Sequence, residues 1–232
     1  MKIYGLQKTT LLDFPGRVAC TVFLGGCNFR CPFCHNSALI SAENYPEEIS
    51  EEKFFEFLKK RKGILDGVCI TGGEPLCSKD IEDFIMKIRA EGYAVKLDTN
   101  GSFPERLEKI VRDGLVDYVA MDIKNSRKNY GKAVGIEKYD TSAVERSVAF
   151  LLENNVPYEF RTTVVKGIHE SLDFCDIASW IRGAERYFIQ TFVASDGVLD
   201  KEKDLSAFTK DEEEEFLEIV ARTVKTVAIR GL

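Results

Sequence analysis

A chain of 232 residues with a formal net charge of −6 is long enough to bury a sizeable core without disulfide staples. Its overall acidity argues against a general nucleic-acid binder, whose footprint is basic. The seven cysteines form an odd set without regular pairing, which excludes a secreted disulfide framework and suits a reducing, cytoplasmic setting. No apolar run approaches the ~20 residues of a membrane span, and the start Met1-Lys2-Ile3-Tyr4-Gly5 lacks the apolar centre of a signal peptide.

Residues 1–16 form an N-terminal segment ending in Asp13-Phe14-Pro15-Gly16. Short apolar strands then alternate with amphipathic helices. The predicted strands are Val18–Leu24, Val68–Thr71, Ala94–Asp98, Tyr118–Asp122, Tyr158–Val165 and Tyr187–Val193. They are near-continuous apolar runs, as in strands buried on both faces. Between them Ile81, Phe84, Ile85 and Ile88 repeat with helical period, as do Val144, Val148, Leu151 and Leu152, then Phe174, Ile177, Ala178 and Ile181, then Phe216, Ile219, Val220 and Thr223. Ser142 with Glu145, and Thr209 with Glu212, read as capping boxes. The acidic run Asp211–Glu215 falls in the first turn of a helix near 210–224, where carboxylates meet the positive end of the dipole. A short strand, Val227–Arg230, closes the chain.

Strands alternating with helices imply parallel pairing through right-handed crossovers. Six such units fit an α/β fold that is either an open (β/α)6 partial barrel or a doubly wound sheet, and periodicity alone does not separate them. Residues 1–232 read as one domain, with about 195–232 as a C-terminal extension that carries no recognisable motif.

Cys27, Cys31 and Cys34 are spaced C-x3-C-x2-C, with no fourth cysteine close behind. A structural zinc site usually shows two paired spacings, and only one pair is present. His35 directly follows Cys34, which makes it a poor fourth ligand for the same ion. An iron–sulfur cubane normally takes four protein ligands, so three thiolates leave one iron open to an outside ligand. Cys20, Cys69 and Cys175 read as small core residues, and Cys77 as a bystander near the site.

The remaining polar motifs fall at C-terminal ends of predicted strands, where barrel active sites gather. Gly72-Gly73-Glu74-Pro75 follows the second strand, Asp98-Thr99-Asn100-Gly101 the third, and Asp122-Ile123-Lys124-Asn125 the fourth. Arg161 lies in the fifth strand and Gln190 near the end of the sixth. Glycines let a backbone approach a ligand closely, although Gly-Gly with Pro is also common turn chemistry. Asp98 and Asp122 close neighbouring strands, so their like charges call for a cation or for donors between them. Helix capping by Asp98 or Asn100 is the plainer alternative.

The cysteine triplet followed by Gly72-Gly73-Glu74 resembles the radical S-adenosylmethionine (SAM) superfamily. The phrase Leu6-Gln7-Lys8-Thr9-Thr10-Leu11-Leu12-Asp13-Phe14-Pro15-Gly16 and the strand-end motifs resemble its glycyl-radical-enzyme activase branch, in particular the anaerobic ribonucleoside-triphosphate reductase activating proteins. That resemblance implies the partial (β/α)6 barrel. It also implies a 4Fe–4S cluster on Cys27, Cys31 and Cys34, whose open iron is chelated by SAM. Gly72, Gly73 and Glu74 would hold the SAM ammonium group, Phe33 would face the adenine, and His35 would contribute backbone contacts. Asp98, Thr99, Asn100, Asp122, Ile123, Lys124 and Asn125 would form a monovalent-cation and SAM-carboxylate site. Lys124 and Arg161 would balance the carboxylate or ribose, and Gln190 would add a further contact.

The implied reaction is reductive cleavage of SAM to a 5′-deoxyadenosyl radical, which makes a glycyl radical on the reductase. Flavodoxin or ferredoxin would supply the electron. No general acid or base is needed, and neither histidine, His35 or His169, is required to move a proton. A macromolecular substrate would profit from the open side of an incomplete barrel. Residues 124–139 are locally basic and read as a solvated loop or a guide for that substrate. Arg127-Lys128-Asn129 departs from the proline-containing stretch of the relatives. The rival readings are an activase of the pyruvate formate-lyase type, a radical SAM enzyme acting on a small molecule or peptide, and a non-catalytic metal-binding or redox-sensing protein.

Overall fold

The computed structural model describes residues 1–201 and 203–231. Eight strands form one sheet in the order of the chain: β1 Ile3–Thr10, β2 Ala19–Leu24, β3 Gly67–Gly72, β4 Ala94–Thr99, β5 Tyr118–Asp122, β6 Tyr158–Val164, β7 Arg186–Thr191 and β8 Thr226–Arg230. β1 pairs antiparallel with β2, and every later pair is parallel. β1 and β8 do not pair, so the sheet is an open α/β barrel with a free side. The helices are α1 Glu51–Lys60, α2 Ile81–Ala90, α3 Pro104–Arg112, α4 Tyr130–Val134, α5 Ser142–Leu152, α6 Ser171–Trp180 and α7 Lys210–Ala221. None of them is long and apolar enough to cross a membrane.

The six central strands, β2 to β7, are the six predicted from apolar runs, with ends shifted by one or two residues. β1 escapes a search for apolar runs because Gln7, Lys8 and Thr9 face solvent on an edge strand. α1, α3 and the short α4 were likewise not expected. Thr209 and Glu212 do form a reciprocal capping box at α7, and the acidic run occupies its first turn. Ser142 does not cap α5: Thr141 is the N-cap, its hydroxyl donating to the Glu145 carboxylate and not bonded to the helix backbone, and Ser142 instead binds Asp140 at 3.0 Å. The pair that closes a box at α6 is Glu170 with Asp173. Cys175 is exposed, contrary to expectation, because it lies off the buried stripe of Phe174, Ile177 and Ala178. Part of the basic stretch is packed: Tyr130, Ala133 and Val134 of α4 are buried, and Arg127 pairs with Asp176.

One apolar cluster runs from Ile3 through the strands to Val224. The C-terminal extension joins it through Phe216 of α7, whose ring stacks on Phe174 of α6 at 4.2 Å and 5°. Phe208 meets the other side of Phe216 edge-on at 4.8 Å. Phe216→Ala removes a buried ring packed between α6 and α7 and should lower the unfolding free energy by about 3–5 kcal/mol. Urea unfolding of the variant against the parent measures this, and a loss below about 1 kcal/mol would mean that α7 docks by other contacts.

Candidate active site

Parallel pairing brings the strand-end motifs to one rim. Leu24 sits opposite Gly72, Thr99 opposite Met121, Asp122 opposite Arg161, and Thr163 opposite Gln190. These ends border a cavity of about 380 Å³ lined by Cys27, Cys31, Phe33, Cys34, His35, Gly72, Gly73, Asp98, Thr99, Asn100, Asp122, Lys124, Arg161 and Gln190. Of the residues expected there, Glu74, Ile123 and Asn125 do not line it.

The cysteine loop is held by its own backbone and by neighbours on three sides. Gly26 adopts φ +94°, a conformation that L side chains avoid. Its N–H donates to the Leu39 carbonyl at 2.8 Å, and its carbonyl accepts from Glu74 N at 2.7 Å. A Cβ on Gly73 would lie 2.1 Å from that Gly26 oxygen, so the approach of the two turns demands glycine. The Arg30 guanidinium donates to the carbonyls of Cys27 and Phe29 at 2.7 and 2.8 Å. From the C-terminal side Leu199 N donates to Cys34 O at 3.2 Å, and Asp200 N to Pro32 O at 2.9 Å. Those contacts give the first residues of the extension a role: they strap the loop.

All three thiols border the same space. Burial pushes Cys27 up to about 11 and Cys31 up to about 12, and raises Cys34 in the same direction. Thiolates there need a cationic partner, which iron supplies, since a coordinated thiol is deprotonated outright. Among the described residues no three His, Cys, Asp or Glu side chains gather tightly enough for a single ion. Around one zinc the sulfurs would stand roughly 3.8 Å apart, given Zn–S bonds of about 2.3 Å. Three thiols bordering one cavity of this volume leave room for a cluster larger than a single ion.

Asp98 and Asp122 are neutralised by donors on either side. Arg161 reaches Asp98 at 3.2 Å and Asp122 at 2.9 Å. Lys124 binds Asp122 at 3.0 Å, and Lys96 binds Asp98. Burial alone would raise the Asp122 carboxyl, but Arg161 and Lys124 hold it down at about 2. Lys96, only 1% exposed, was not anticipated. Its signal was a single lysine inside a strand otherwise apolar up to Asp98.

Glu74 is 1% exposed and turned away from the cavity. Its carboxylate accepts from Leu76 N and Thr99 Oγ1, both at 2.9 Å, and from Asn100 N at 2.6 Å. It is a brace for the Asp98–Asn100 turn, and burial pushes its pKa up to about 7 against those three donors. Asn100 in turn donates to Asn28 at 3.0 Å, tying that turn to the cysteine loop. Ile123 is a core residue whose carbonyl accepts from Thr162 at 2.8 Å. Asn125 is fully buried and donates to Ile168 O at 3.2 Å. His35 donates from Nε2 to Val193 O at 2.7 Å and packs on Phe192 at 5.3 Å. Gln190 accepts from Thr163 at 3.4 Å. Gln7, Asp13, Thr21 and Thr163 also line the cavity, and sequence reading did not single them out as site residues.

Single Cys→Ala changes at Cys27, Cys31 or Cys34 should abolish iron uptake and the ~400 nm absorption band typical of such clusters, while Cys77→Ala retains both. Iron analysis after anaerobic reconstitution decides this, and equal loss in the Cys77 variant would refute the three-ligand assignment. Glu74→Gln sets an amide N–H against backbone N–H donors and should cost about 1–3 kcal/mol of stability. Denaturant titration at neutral pH checks it, and an unchanged midpoint would remove Glu74 as a brace.

The radical SAM superfamily profile matches residues 21–181. A Methanocaldococcus jannaschii protein, named provisionally as a glycyl-radical enzyme activating enzyme, is 30% identical over 99% of this chain and 96% of its own length. The pyruvate formate-lyase-activating enzyme of Listeria monocytogenes is 30% identical over 53% of each chain. Among solved structures, a radical SAM methyltransferase from Sphaerobacter thermophilus superposes with a TM-score of 0.74 at 13% identity, covering 96% of this chain and 69% of its own. A domain of the pyruvate-formate lyase-activating enzyme from Bacteroides vulgatus gives a TM-score of 0.56 at 15% identity, covering 71% and 99%. The profile spans the cysteine loop and all but the last two parallel strands, so the chain is an enzyme of the radical SAM superfamily, a family that implies a 4Fe–4S cluster and S-adenosylmethionine.

Proposed function

We propose that this chain is the activating enzyme of a glycyl radical enzyme, and that its partner is the anaerobic ribonucleoside-triphosphate reductase. The observation that carries the activase reading is likeness to the M. jannaschii protein along nearly the whole chain. The reductase is favoured by the Leu6–Gly16 phrase together with the Asp98–Gly101 and Asp122–Asn125 motifs. A pyruvate formate-lyase type of partner is the second reading, favoured by the half-length match to the Listeria enzyme.

The cluster, with SAM beside it, would supply the one-electron chemistry that removes a hydrogen atom from a glycine α-carbon of the partner, with methionine and 5′-deoxyadenosine as the other products. The residues of this chain bind and orient. Cys27, Cys31 and Cys34 would hold three irons. The row Lys124, Asp122, Arg161 and Asp98 presents both signs of charge, suited to the ammonium and carboxylate ends of an amino acid. Gly72 and Gly73 offer backbone at close range, and Phe33 offers a ring to the adenine. A monovalent cation beside Asp98 and Asp122 belongs to the same reading, since oxygen-rich settings suit hard cations. The electron would come from flavodoxin or ferredoxin. Gln7, Asp13, Thr21, Thr163 and Gln190 give the rest of the cavity a polar lining that suits peptide amides. The gap between β1 and β8 leaves a side by which a loop can enter.

Because an unguarded primary radical attacks whatever is near, positioning outweighs acid–base help in this reaction. The reduced, cluster-loaded protein with SAM should therefore form 5′-deoxyadenosine slowly alone. Addition of the reductase should accelerate cleavage and produce a glycine-centred EPR doublet that collapses when the glycine α-carbon is deuterated. If pyruvate formate-lyase alone develops the doublet, the second reading replaces the first. If turnover follows a small metabolite with no protein radical, the activase reading fails.

A further inference from the structure

His169 is 4% exposed, and the chemistry above gives it no proton to move. Both ring nitrogens are nevertheless engaged. Val165 N–H donates to Nδ1 at 3.1 Å, so Nδ1 carries no hydrogen. Nε2 then bears the proton and donates to the Lys124 carbonyl at 2.8 Å. Burial pushes the imidazole below its ordinary pKa, in keeping with a neutral ring.

The two bonds span two loops at the rim. On its own side His169 closes a tight turn: Ile168 N and His169 N both donate to Val165 O, at 3.1 and 3.0 Å. Gly167 takes φ +88° to make that turn. On the far side lies the segment after β5. Lys124 there lines the cavity and binds Asp122 at 3.0 Å. The ring also backs the cysteine loop, since the Phe33 ring centre lies 6.0 Å away at 60°. Behind it stands Phe174, at 6.2 Å, which belongs to the core. One buried side chain thus connects the core with two separate walls of the cavity.

We propose that His169 is a positioning residue for SAM binding: its Nε2–H fixes the Lys124 backbone. The proposal rests on the SAM site inferred above. Loss of the Nε2 bond frees the segment that carries Lys124, whereas loss of the Nδ1 bond affects only the histidine's own turn. The two roles can be separated by amide substitutions. The amide nitrogen of glutamine reaches the place of Nε2 and can donate to Lys124 O. The oxygen of asparagine reaches only the place of Nδ1 and can accept from Val165 N.

The test uses the cluster-loaded protein, with wild type, His169→Gln and His169→Asn compared under anaerobic conditions. SAM affinity is measured by calorimetry, and the change in the reduced-cluster EPR signal on SAM addition gives a second readout. Iron content and thermal midpoint are measured on each. His169→Gln should bind within about threefold of wild type, and His169→Asn about tenfold more weakly, the scale of one hydrogen bond. The EPR change should need correspondingly more SAM in the asparagine variant alone. Equal weakening of both variants, no weakening of either, or joint loss of iron and fold would overturn the proposal and leave His169 a structural residue. A wild-type protein that takes up its cluster but binds no SAM would overturn the underlying site reading instead, and the proposal with it.

Discussion

Two partly buried carboxylates near the ends of adjacent parallel strands must be neutralised, and the cavity is arranged around that need. Asp98 stands one residue before the end of β4 and Asp122 ends β5, and the sheet register sets Arg161 of β6 opposite Asp122. The guanidinium therefore reaches both acids at once. Lys96 and Lys124 bind their outer sides. Breaking such a row by removing one partner typically costs 3–5 kcal/mol, because a buried charge is left alone. The same row keeps both signs of charge fixed at the cavity, partly shielded from solvent, where they act on a ligand more strongly than free charges in water.

A second constraint is closeness of backbone. The cysteine loop, the Gly72–Gly73 turn and the Asp98–Asn100 turn are joined by peptide groups more than by side chains. Gly73 touches Gly26 at a distance that no Cβ tolerates. Glu74 gathers three donors from the two turns beside it, and Asn100 extends that network to Asn28. On the opposite face Leu199 and Asp200 strap the loop from the extension. Cys27, Cys31 and Cys34 are thus presented by a loop tied to β3, β4 and the segment after β7. Preorganisation of this kind spares a bound group the cost of ordering its own ligands.

The sequence by itself determined the six central strands, because runs such as Val68–Thr71 are apolar on both faces and leave little choice of state. It determined the spacing of Cys27, Cys31 and Cys34, which is a local property of the chain. It also placed Asp98, Asp122, Arg161 and Gln190 at one rim, since parallel strands of similar length end together. Tertiary structure alone decided what those residues face. Glu74, in a motif that suggested ligand contact, turned inward because the Asp98–Asn100 turn supplies donors from another strand. Ile123 and Asn125 went to the core side because alternation along an extended segment sends neighbours to opposite faces. Cys175 faces solvent because one residue of angular offset on a helix moves a side chain off the core stripe, and Ser142 does not cap because α5 takes Thr141, one residue earlier, as its N-cap. β1 stayed hidden because an edge strand is held by hydrogen bonds to its neighbour, which any residues with free backbone groups can make. Lys124, the far partner of His169, and Cys69, beside the Lys96 ammonium, lie on other segments, and no local reading of the chain contains that information.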